Sequence, residues 1–257
     1  MKLYTQILTE NDCYKSGRTI TPSGVMVHST GANNPKLSRY VPGNAEIGYN
    51  TGGNHWDMPD TGACVHAFIG KLADGSVGAV QTLPWNRRGW HCGKGSRGSA
   101  NDTHIAFEIC EDGLQDAGYF EAVYQAAVEL TADLCRQYGL DPKADGVVIC
   151  HSEGHARGIA SNHADVMHWF PMHGKTMDMF RNDVARAMEG EDEMTQEQFD
   201  AMLENYLARK AQEKADQPWE QMAIGKVQAA GISDGQRPRA IPTRVEVMAM
   251  VAAAMEQ

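Results

Sequence analysis

The sequence has few basic residues and no long apolar run. Lysine and arginine number 23 against 33 aspartates and glutamates, and the formal net charge is −10. A nucleic-acid partner is therefore not expected, because nucleic-acid phosphates bind to basic surfaces. No apolar run reaches the length of about 18 residues that a membrane span needs. The first residues, Met1–Gln6, lack the apolar core of a signal peptide, so we expect synthesis in the cytoplasm without export by such a signal.

The six cysteines contain no Cys-x-x-Cys pair. Four of them fall in segments that we predict to be strands or a helix, namely Cys64, Cys110, Cys135 and Cys150. Cysteine is among the residues that are most often buried, and disulfides are rare in a reducing cytosol. The pattern therefore predicts buried free thiols.

Histidine is abundant but unevenly distributed. All ten histidines lie between His28 and His173. His28 ends an apolar run that starts at Gly24, and His151 ends another that starts at Gly146. Two histidines at the ends of buried strands can meet in space, although a single histidine at such a position is more often structural. Neutral imidazoles together with an acidic ligand form an open zinc site, and this placement favours one.

Glu108 interrupts a third apolar segment, His104–Cys110. An ionised carboxylate among apolar neighbours is costly unless it is paired or hydrogen-bonded. Beside a metal site, a glutamate with a raised pKa can act as a general base. Two alternatives remain open, namely that Glu108 faces solvent or pairs with an arginine such as Arg88. The combination with the histidines indicates a zinc hydrolase.

Short apolar runs alternate with amphipathic segments along the first two thirds of the chain. A stripe of apolar residues predicts a helix over about 118–138, and a second helix is predicted over about 174–188. The Gly- and Asn-rich segment 44–60 is predicted to be an irregular loop over the cleft. We expect an α/β fold with a central mixed β-sheet flanked by helices and the zinc site at the strand ends. The predicted strands cover 24–30, 64–70, 77–83, 104–110 and 146–151.

The end of the chain differs in composition from the rest. We predict a zinc-containing catalytic domain over 1–189, then an acidic linker and charged helix over 190–216, then a small all-α module over 217–257. Thr195 and Gln198 have the spacing of a capping box, and the helix after them has only a thin apolar stripe. A helix with such a stripe can either pair with another helix or act as a spacer between domains.

Several ordered motifs between Thr21 and Met188 resemble zinc-dependent N-acetylmuramoyl-L-alanine amidases of the type-2 amidase and peptidoglycan-recognition-protein group. They read Val-Met-Val-His28-Ser-Thr, Val65-His66-Ala-Phe-Ile, Ala73-Asp-Gly75, Arg88-Gly-Trp-His91-Cys-Gly93, Asn101-Asp-Thr-His-Ile-Ala-Phe-Glu108 and Cys150-His151-Ser-Glu. The resemblance implies zinc on His28, His151 and a residue downstream, with Glu108 as the general base.

The third zinc ligand is the weakest part of the resemblance. Relatives carry Cys-Pro or Asp-Pro closer to the late histidine, whereas here Asp165 is further along the chain and precedes a valine. We predict Asp165 as the ligand. The rival assignment makes His163 or His155 the ligand and Asp165 a residue that orients it.

The same resemblance suggests roles for residues around the cleft. His163 occupies the position where relatives have lysine, and we predict that it stabilises the developing oxyanion. His91, Trp90 and Asn101 are predicted to bind substrate. A hydrogen-bonded loop histidine and a packing tryptophan are the alternatives for His91 and Trp90.

The implied activity is hydrolysis of the amide bond between N-acetylmuramic acid and L-alanine in bacterial peptidoglycan. We predict that the protein is a phage or prophage endolysin, which a holin releases from the cytoplasm to the cell wall. The segment 217–257 resembles a single S-layer-homology unit, so both wall anchoring and a homo-oligomer formed through the C-terminal helices stay open. The alternatives are a non-catalytic peptidoglycan-binding protein and an intracellular amidase that recycles muropeptides.

Overall fold

The computed structural model describes residues 1–189, 196–212, 217–236, 242 and 244–255. Contacts divide the chain into two compact units, Met1–Gly190 and Glu191–Gln257. The first unit holds a β-sheet with helices, and the described part of the second holds helices alone. The residue Thr195, the acidic stretch 190–193 and residue Thr243 lie outside the described residues.

The first unit is built on a six-stranded mixed sheet with the strand order β1-β4-β3-β5-β2-β6. All neighbouring strands are parallel except β3 and β4, which form an antiparallel pair. The strands are β1 (Leu3–Thr5), β2 (Gly24–Asn33), β3 (Ala67–Lys71), β4 (Val77–Gln81), β5 (His104–Glu111) and β6 (Val148–Cys150). The predicted fold class is confirmed. Strand β1 was not predicted from the sequence, because it has only three residues and depends on pairing with β4.

Four helices belong to the first unit and three to the described part of the second. They are α1 (Asp12–Lys15), α2 (Ala117–Tyr138), α3 (His151–Ala156) and α4 (Met177–Glu189), followed by α5 (Gln196–Gln212), α6 (Pro218–Ala229) and α7 (Arg244–Met255). Helix α2 begins where the Asp116 side chain accepts from the backbone N–H of Tyr119 at 3.0 Å. It ends at Gly139, whose φ of 64° is left-handed and therefore suits glycine. Within the described residues, no helix has both the length and the apolar character that crossing a bilayer requires.

The two faces of the sheet are covered differently. Val25 and Val27 of β2 point to the face on which α2 and α4 pack, where Phe107, Phe120 and Phe180 are buried. Met26 points to the opposite face, which long loops cover and where Leu37, Tyr40, Ile47 and Phe68 are buried. Because side chains alternate along a strand, His28 lies on the loop-covered face with Met26. Glu108 lies on that face as well, since Ala106 of β5 belongs to the same apolar cluster.

The cysteines differ from the expectation at one point. Cys13 and Cys64 form a disulfide with a Cα–Cα distance of 6.5 Å, so the prediction of a free thiol at Cys64 is wrong. Cys64 precedes β3 and pairs with Trp90 in an isolated bridge, which brings it next to α1. The four cysteines Cys92, Cys110, Cys135 and Cys150 are free and buried.

Candidate active site

Three potential metal ligands meet where the sheet ends. His28 lies in β2, His151 is the first residue of α3 directly after β6, and Asp165 lies in the loop that follows α3. The Nδ1 atom of His28 lies 2.8 Å from Oδ2 of Asp165 and 3.2 Å from Nδ1 of His151. The Nδ1 atom of His151 lies 3.4 Å from the same carboxylate oxygen. The three atoms therefore form a nearly equilateral triangle.

This triangle fits a zinc ion. Tetrahedral zinc with ligand distances of about 2.0–2.2 Å separates neighbouring ligand atoms by roughly 3.3–3.6 Å. The observed separations of 2.8, 3.2 and 3.4 Å are close to that value. Two imidazoles and one carboxylate are also a donor set that zinc accepts.

Hydrogen bonds on the far side of each ring support this orientation. The Nε2 atom of His28 lies 3.1 Å from Nδ1 of His91, and Nε2 of His151 lies 3.2 Å from Oγ of Ser161. These contacts suit imidazoles that carry their proton on Nε2 and direct an Nδ1 lone pair toward the centre. His91 and Ser161 therefore hold the two rings in the form that binds a metal.

The protonation states suit a cation as well. Burial lowers the pKa of His28, which keeps its imidazole neutral. Burial alone would raise the pKa of Asp165, but its contacts with the rings of His151 and His28 outweigh burial and lower the pKa below the usual range. The centre thus offers a neutral imidazole at His28 and an anion at Asp165, with the imidazole of His151 as the third donor.

Glu108 stands directly beside this triangle. It is the register partner of His28 in the parallel β2–β5 pair, so the two side chains leave the sheet next to each other. Its Oε2 atom is buried and has no hydrogen-bond partner in the described part of the chain. Burial, together with the charges of Asp165 and Glu111, raises the pKa of Glu108 well above that of an ordinary carboxyl group. The suggested pairing with Arg88 does not occur, because Arg88 donates to Asp102.

A cavity of about 370 Å³ opens in front of these residues. His163 lines it, with its ring 4.7 Å from that of His151 and its Nδ1 atom 3.2 Å from Oγ of Ser161. His155 lies apart, because it is exposed and its Nδ1 atom contacts the backbone oxygen of Ala160. Among the described residues, the histidines and acids whose ligand atoms gather closely enough for a metal are His28, His151 and Asp165.

The three predicted substrate-binding residues differ in their exposure to the cavity and in their contacts. His91 lines the cavity while its ring also contacts His28. Trp90 lines the same cavity and is 44% exposed. Asn101 is fully buried, where its Oδ1 accepts from the backbone N–H of His91 at 2.7 Å and its Nδ2 donates to the Gly93 oxygen at 2.9 Å. We therefore place Asn101 behind the cleft, as support for the loop that carries His91, and not among the groups that touch substrate.

Two supporting residues, Ser161 and Glu111, could not be found from the sequence. Ser161 links the rings of His151 and His163 to the backbone oxygen of Cys92. Glu111 lies 2.9 Å from Nε2 of His168 and also accepts from the backbone N–H of Gly31 at 3.1 Å. Glu111 thereby ties the loop that carries Asp165 to the ends of β2 and β5. No local pattern marks either residue, because their partners are far away in the sequence.

Comparisons with known proteins give a family and a fold for a large part of this chain. The model of the N-acetylmuramoyl-L-alanine amidase family matches residues 18–171. The N-acetylmuramoyl-L-alanine amidase CwlA of a Bacillus species is 39% identical over 62 residues, which are 24% of this chain and 24% of that protein. The match thus spans about a quarter of this curated relative.

Solved structures share the fold. The hydrolase AmiA of Staphylococcus aureus has a TM-score of 0.54 at 18% identity, with 73% of this chain and 83% of that chain covered. PlyL has a TM-score of 0.52 at 21% identity, with 72% and 98% covered. At these identities the likeness concerns the fold of the first unit.

Proposed function

Because this chain belongs to the N-acetylmuramoyl-L-alanine amidase family, we propose that it hydrolyses the amide bond between N-acetylmuramic acid and L-alanine in bacterial peptidoglycan, with zinc as its cofactor. The proposal depends most on one observation: the ligand triangle of His28, His151 and Asp165 lies next to the unpartnered carboxylate of Glu108. A peptidoglycan-binding protein without catalysis needs neither part of this arrangement.

Three residues would hold the metal, namely His28, His151 and Asp165. A zinc ion bound there supplies a Lewis acid for the scissile carbonyl and lowers the pKa of water. His91 and Ser161 keep the two imidazoles in the matching tautomer. The assignment of Asp165 over His163 is favoured because only Asp165 reaches both histidines with one oxygen, at 2.8 and 3.4 Å.

Glu108 acts in this proposal as the general base and then as the general acid. Burial raises its pKa, which makes the carboxylate a stronger base toward the proton of the attacking water. The same proton then passes to the nitrogen of the departing L-alanine. The apolar strand around Glu108 is what makes this exchange possible, since burial disfavours the charged form.

His163 contributes a hydrogen-bond donor to the oxygen on which negative charge develops. Its Nδ1 atom contacts Ser161 and its ring lines the cavity, so Nε2 would donate to that oxygen when it carries a proton. Trp90 and His91 would contact the substrate on the neighbouring wall of the same cavity.

We further propose that the protein acts as a phage or prophage endolysin after holin-type release, with the second unit serving targeting or assembly. Support comes from the helices that follow the catalytic unit and expose aromatic residues, such as Trp219 and Tyr206. Aromatic faces suit contact with a sugar polymer. An amidase that acts on soluble muropeptides needs no such attachment.

Mass spectrometry of digested peptidoglycan, combined with zinc analysis of the purified protein, tests the proposal. We expect one zinc per chain, new amino-terminal L-alanine on the released peptides and glycan strands that have lost their peptides. New reducing sugar ends, or cleavage within the peptide, would contradict the amidase assignment. Zinc binding without any product would favour a binding protein.

A further inference from the structure

The strand that carries His28 becomes irregular shortly after this residue. Strand β2 pairs with β5 in regular register up to Ser29, and the register shifts between Ser29 and Asn33. Gly31 lies in this irregular part with a φ of 59°, a left-handed conformation that suits glycine. The backbone groups of this part therefore need partners outside the regular strand ladder.

Glu111 of β5 supplies two of these partners. Its Oε1 atom accepts from the backbone N–H of Gly31 at 3.1 Å, and its own backbone N–H donates to Oγ1 of Thr30 at 3.2 Å. The side chain of Glu111 is only 6% exposed, so water has little access to replace these bonds. Thr30 and Gly31 follow His28 closely in the chain. Glu111 therefore fixes the backbone just beyond this metal ligand.

The same oxygen of Glu111 reaches the turn that carries Asp165. Oε1 lies 2.9 Å from Nε2 of His168, and the imidazole donates because a carboxylate oxygen accepts. Asp165 and His168 lie in one continuous turn, in which the backbone N–H of Met167 donates to the oxygen of Ala164 at 2.7 Å. A displacement of His168 would therefore also move Asp165.

Apolar contacts hold the opposite side of this turn. Val166 and Trp169 are fully buried in the apolar cluster under α2, where the ring of Trp169 lies 5.3 Å from that of Phe120. These contacts hold the turn against the helix. Within the described residues, the hydrogen bonds from side chains of this turn to the strands are those of Asp165 and His168. The bond between His168 and Glu111 is thus the link that connects the turn to the strands without using the ligand itself.

We propose that Glu111 is a positioning residue of the metal site, which sets the separation of His28 and Asp165 and thereby the affinity for zinc. A single oxygen of Glu111 joins the backbone beyond the first ligand to the turn of the second. Ligands that are held in place lose less conformational entropy when they bind, and residues behind metal ligands commonly tune affinity in this way. This inference deepens the proposed function and rests on its zinc site.

Zinc affinity, measured by competition with a chelator, tests the role of Glu111. We expect Glu111→Ala and His168→Ala each to weaken zinc binding by about tenfold, the lower end of the effect of residues that orient metal ligands. Glu111→Gln should restore most of the affinity, since its amide oxygen can accept from the same two donors. Affinity is measured in place of turnover, because the charge of Glu111 also raises the pKa of Glu108.

The double variant Glu111→Ala/His168→Ala shows whether the two residues act through one contact. We expect it to bind zinc as well as Glu111→Ala alone, because His168 has lost its partner already in the single variant. Independent effects would multiply to about a hundredfold loss. A loss of that size would contradict the contact as the cause.

His173→Ala is the matched control. Nε2 of His173 lies 2.9 Å from the backbone oxygen of Leu114, so this histidine also joins the chain after the Asp165 turn to the chain after β5. Its contacts lie on the side of α2, where its ring stacks on that of Phe120 at 4.1 Å. We expect His173→Ala to lower the free energy of unfolding in urea and to leave the zinc affinity unchanged. Cobalt(II), whose visible absorption depends on coordination geometry, should give an altered spectrum in His168→Ala and the wild-type spectrum in His173→Ala.

The outcomes separate the positioning role from the proposed function. Unchanged zinc affinity in both Glu111→Ala and His168→Ala would overturn the inference and leave the amidase function standing. An equal loss of affinity in His173→Ala would also overturn it, because the effect would then be one of general stability. Weaker zinc binding in the two variants, with no amidase product from the wild type, would leave the positioning role standing and sink the amidase function. If Glu111→Ala does not fold, a loss of affinity in His168→Ala with retention in Glu111→Gln supports the inference, and retention in both overturns it.

Discussion

At the residue scale, the centre depends on which nitrogen of each histidine faces inward. His28 and His151 both present Nδ1, because His91 and Ser161 occupy the Nε2 side. An imidazole that turned over would place its N–H where a lone pair is required. The backbone of His91 is in turn held by Asn101, so a fully buried amide supports the orientation of His28 through its contact with His91.

Replacement of Glu108 by glutamine separates catalysis from structure. Glutamine keeps the size of the side chain but cannot accept the proton, so we expect kcat to fall by about 10² to 10⁴ while bound zinc stays at the wild-type level. Turnover of a soluble muropeptide and zinc analysis measure the two quantities. Glu121→Gln, an exposed position of α2, is the matched control. Near-normal turnover in Glu108→Gln would place the base elsewhere.

The third ligand can be assigned with two further variants. We expect Asp165→Ala to lose most of its bound zinc, because the carboxylate contacts both histidines at 2.8 and 3.4 Å. His163→Ala should keep its zinc and lose activity. Competition with a chelator measures the affinity, and His155→Ala, at an exposed site outside the cluster, serves as the control. If His163→Ala loses zinc while Asp165→Ala retains it, the ligand is His163.

At the element scale, the site is where a parallel strand pair and a helix start meet. The register of β2 against β5 sets His28 beside Glu108, and the end of β6 places His151 at the start of α3. His66, just before β3, adds a cross-link behind them. Its Nδ1 accepts from the backbone N–H of Ala106 at 3.0 Å, and its Nε2 donates to the Arg87 oxygen at 2.7 Å. This histidine therefore joins β5 to the loop that carries Arg87.

The cross-link at His66 predicts a pH dependence of stability. Burial lowers the pKa of His66 to about 4, whereas in the unfolded chain it is about 6.5. Between these values the unfolded state binds more protons, so the free energy of unfolding rises with pH and the contribution is complete above about 6.5. We expect urea titrations of His66→Gln to show a rise between pH 4 and 6.5 that is smaller by about 3 kcal/mol.

Other buried histidines also have lowered pKa values. Their contributions to the pH dependence are present in both proteins, so they cancel in the difference between the wild type and His66→Gln. If the free energy of unfolding rises equally with pH in the wild type and in His66→Gln, the pKa of His66 is the same in the folded and the unfolded state.

At the scale of the whole molecule, the histidines and the acids of the site all belong to the first unit. The second unit has no histidine, and its described residues include exposed side chains such as Met222 and Met248. Apolar surface of this kind suits contact with another molecule. We therefore propose that the first unit carries the chemistry and that the second serves attachment.

A chain that ends at Glu189 tests that separation. We expect it to fold, to bind zinc and to cleave soluble muropeptides at a near-normal rate, because every residue of the site is retained. On intact cell walls it should be slower, since the gain in local concentration from tethering is lost. Sedimentation of both forms distinguishes assembly from anchoring: a change from oligomer to monomer indicates assembly, and weaker wall binding at unchanged mass indicates anchoring. A folded truncation without activity on soluble substrate would show that the units are not separable.

Much of the fold follows from local patterns in the sequence. The apolar runs that end at His28 and His151 predicted strands β2 and β6, and the stripe and terminal glycine of α2 predicted its bounds within one residue. A carboxylate inside an apolar run was enough to single out Glu108. These inferences succeed because strand alternation, helix periodicity and capping depend on residues close together in the chain.

Loops and pairings at long range were decided only by the tertiary structure. The disulfide of Cys13 with Cys64, the approach of Asp165 to both histidines and the pairing of Arg18 with Arg88 join segments that no local pattern connects. The loop of Asp165 takes its place through contacts such as that of His168 with Glu111, which lies on another element. The sequence determines which side chains are available at each strand end, and the packing of loops over the sheet decides which of them meet.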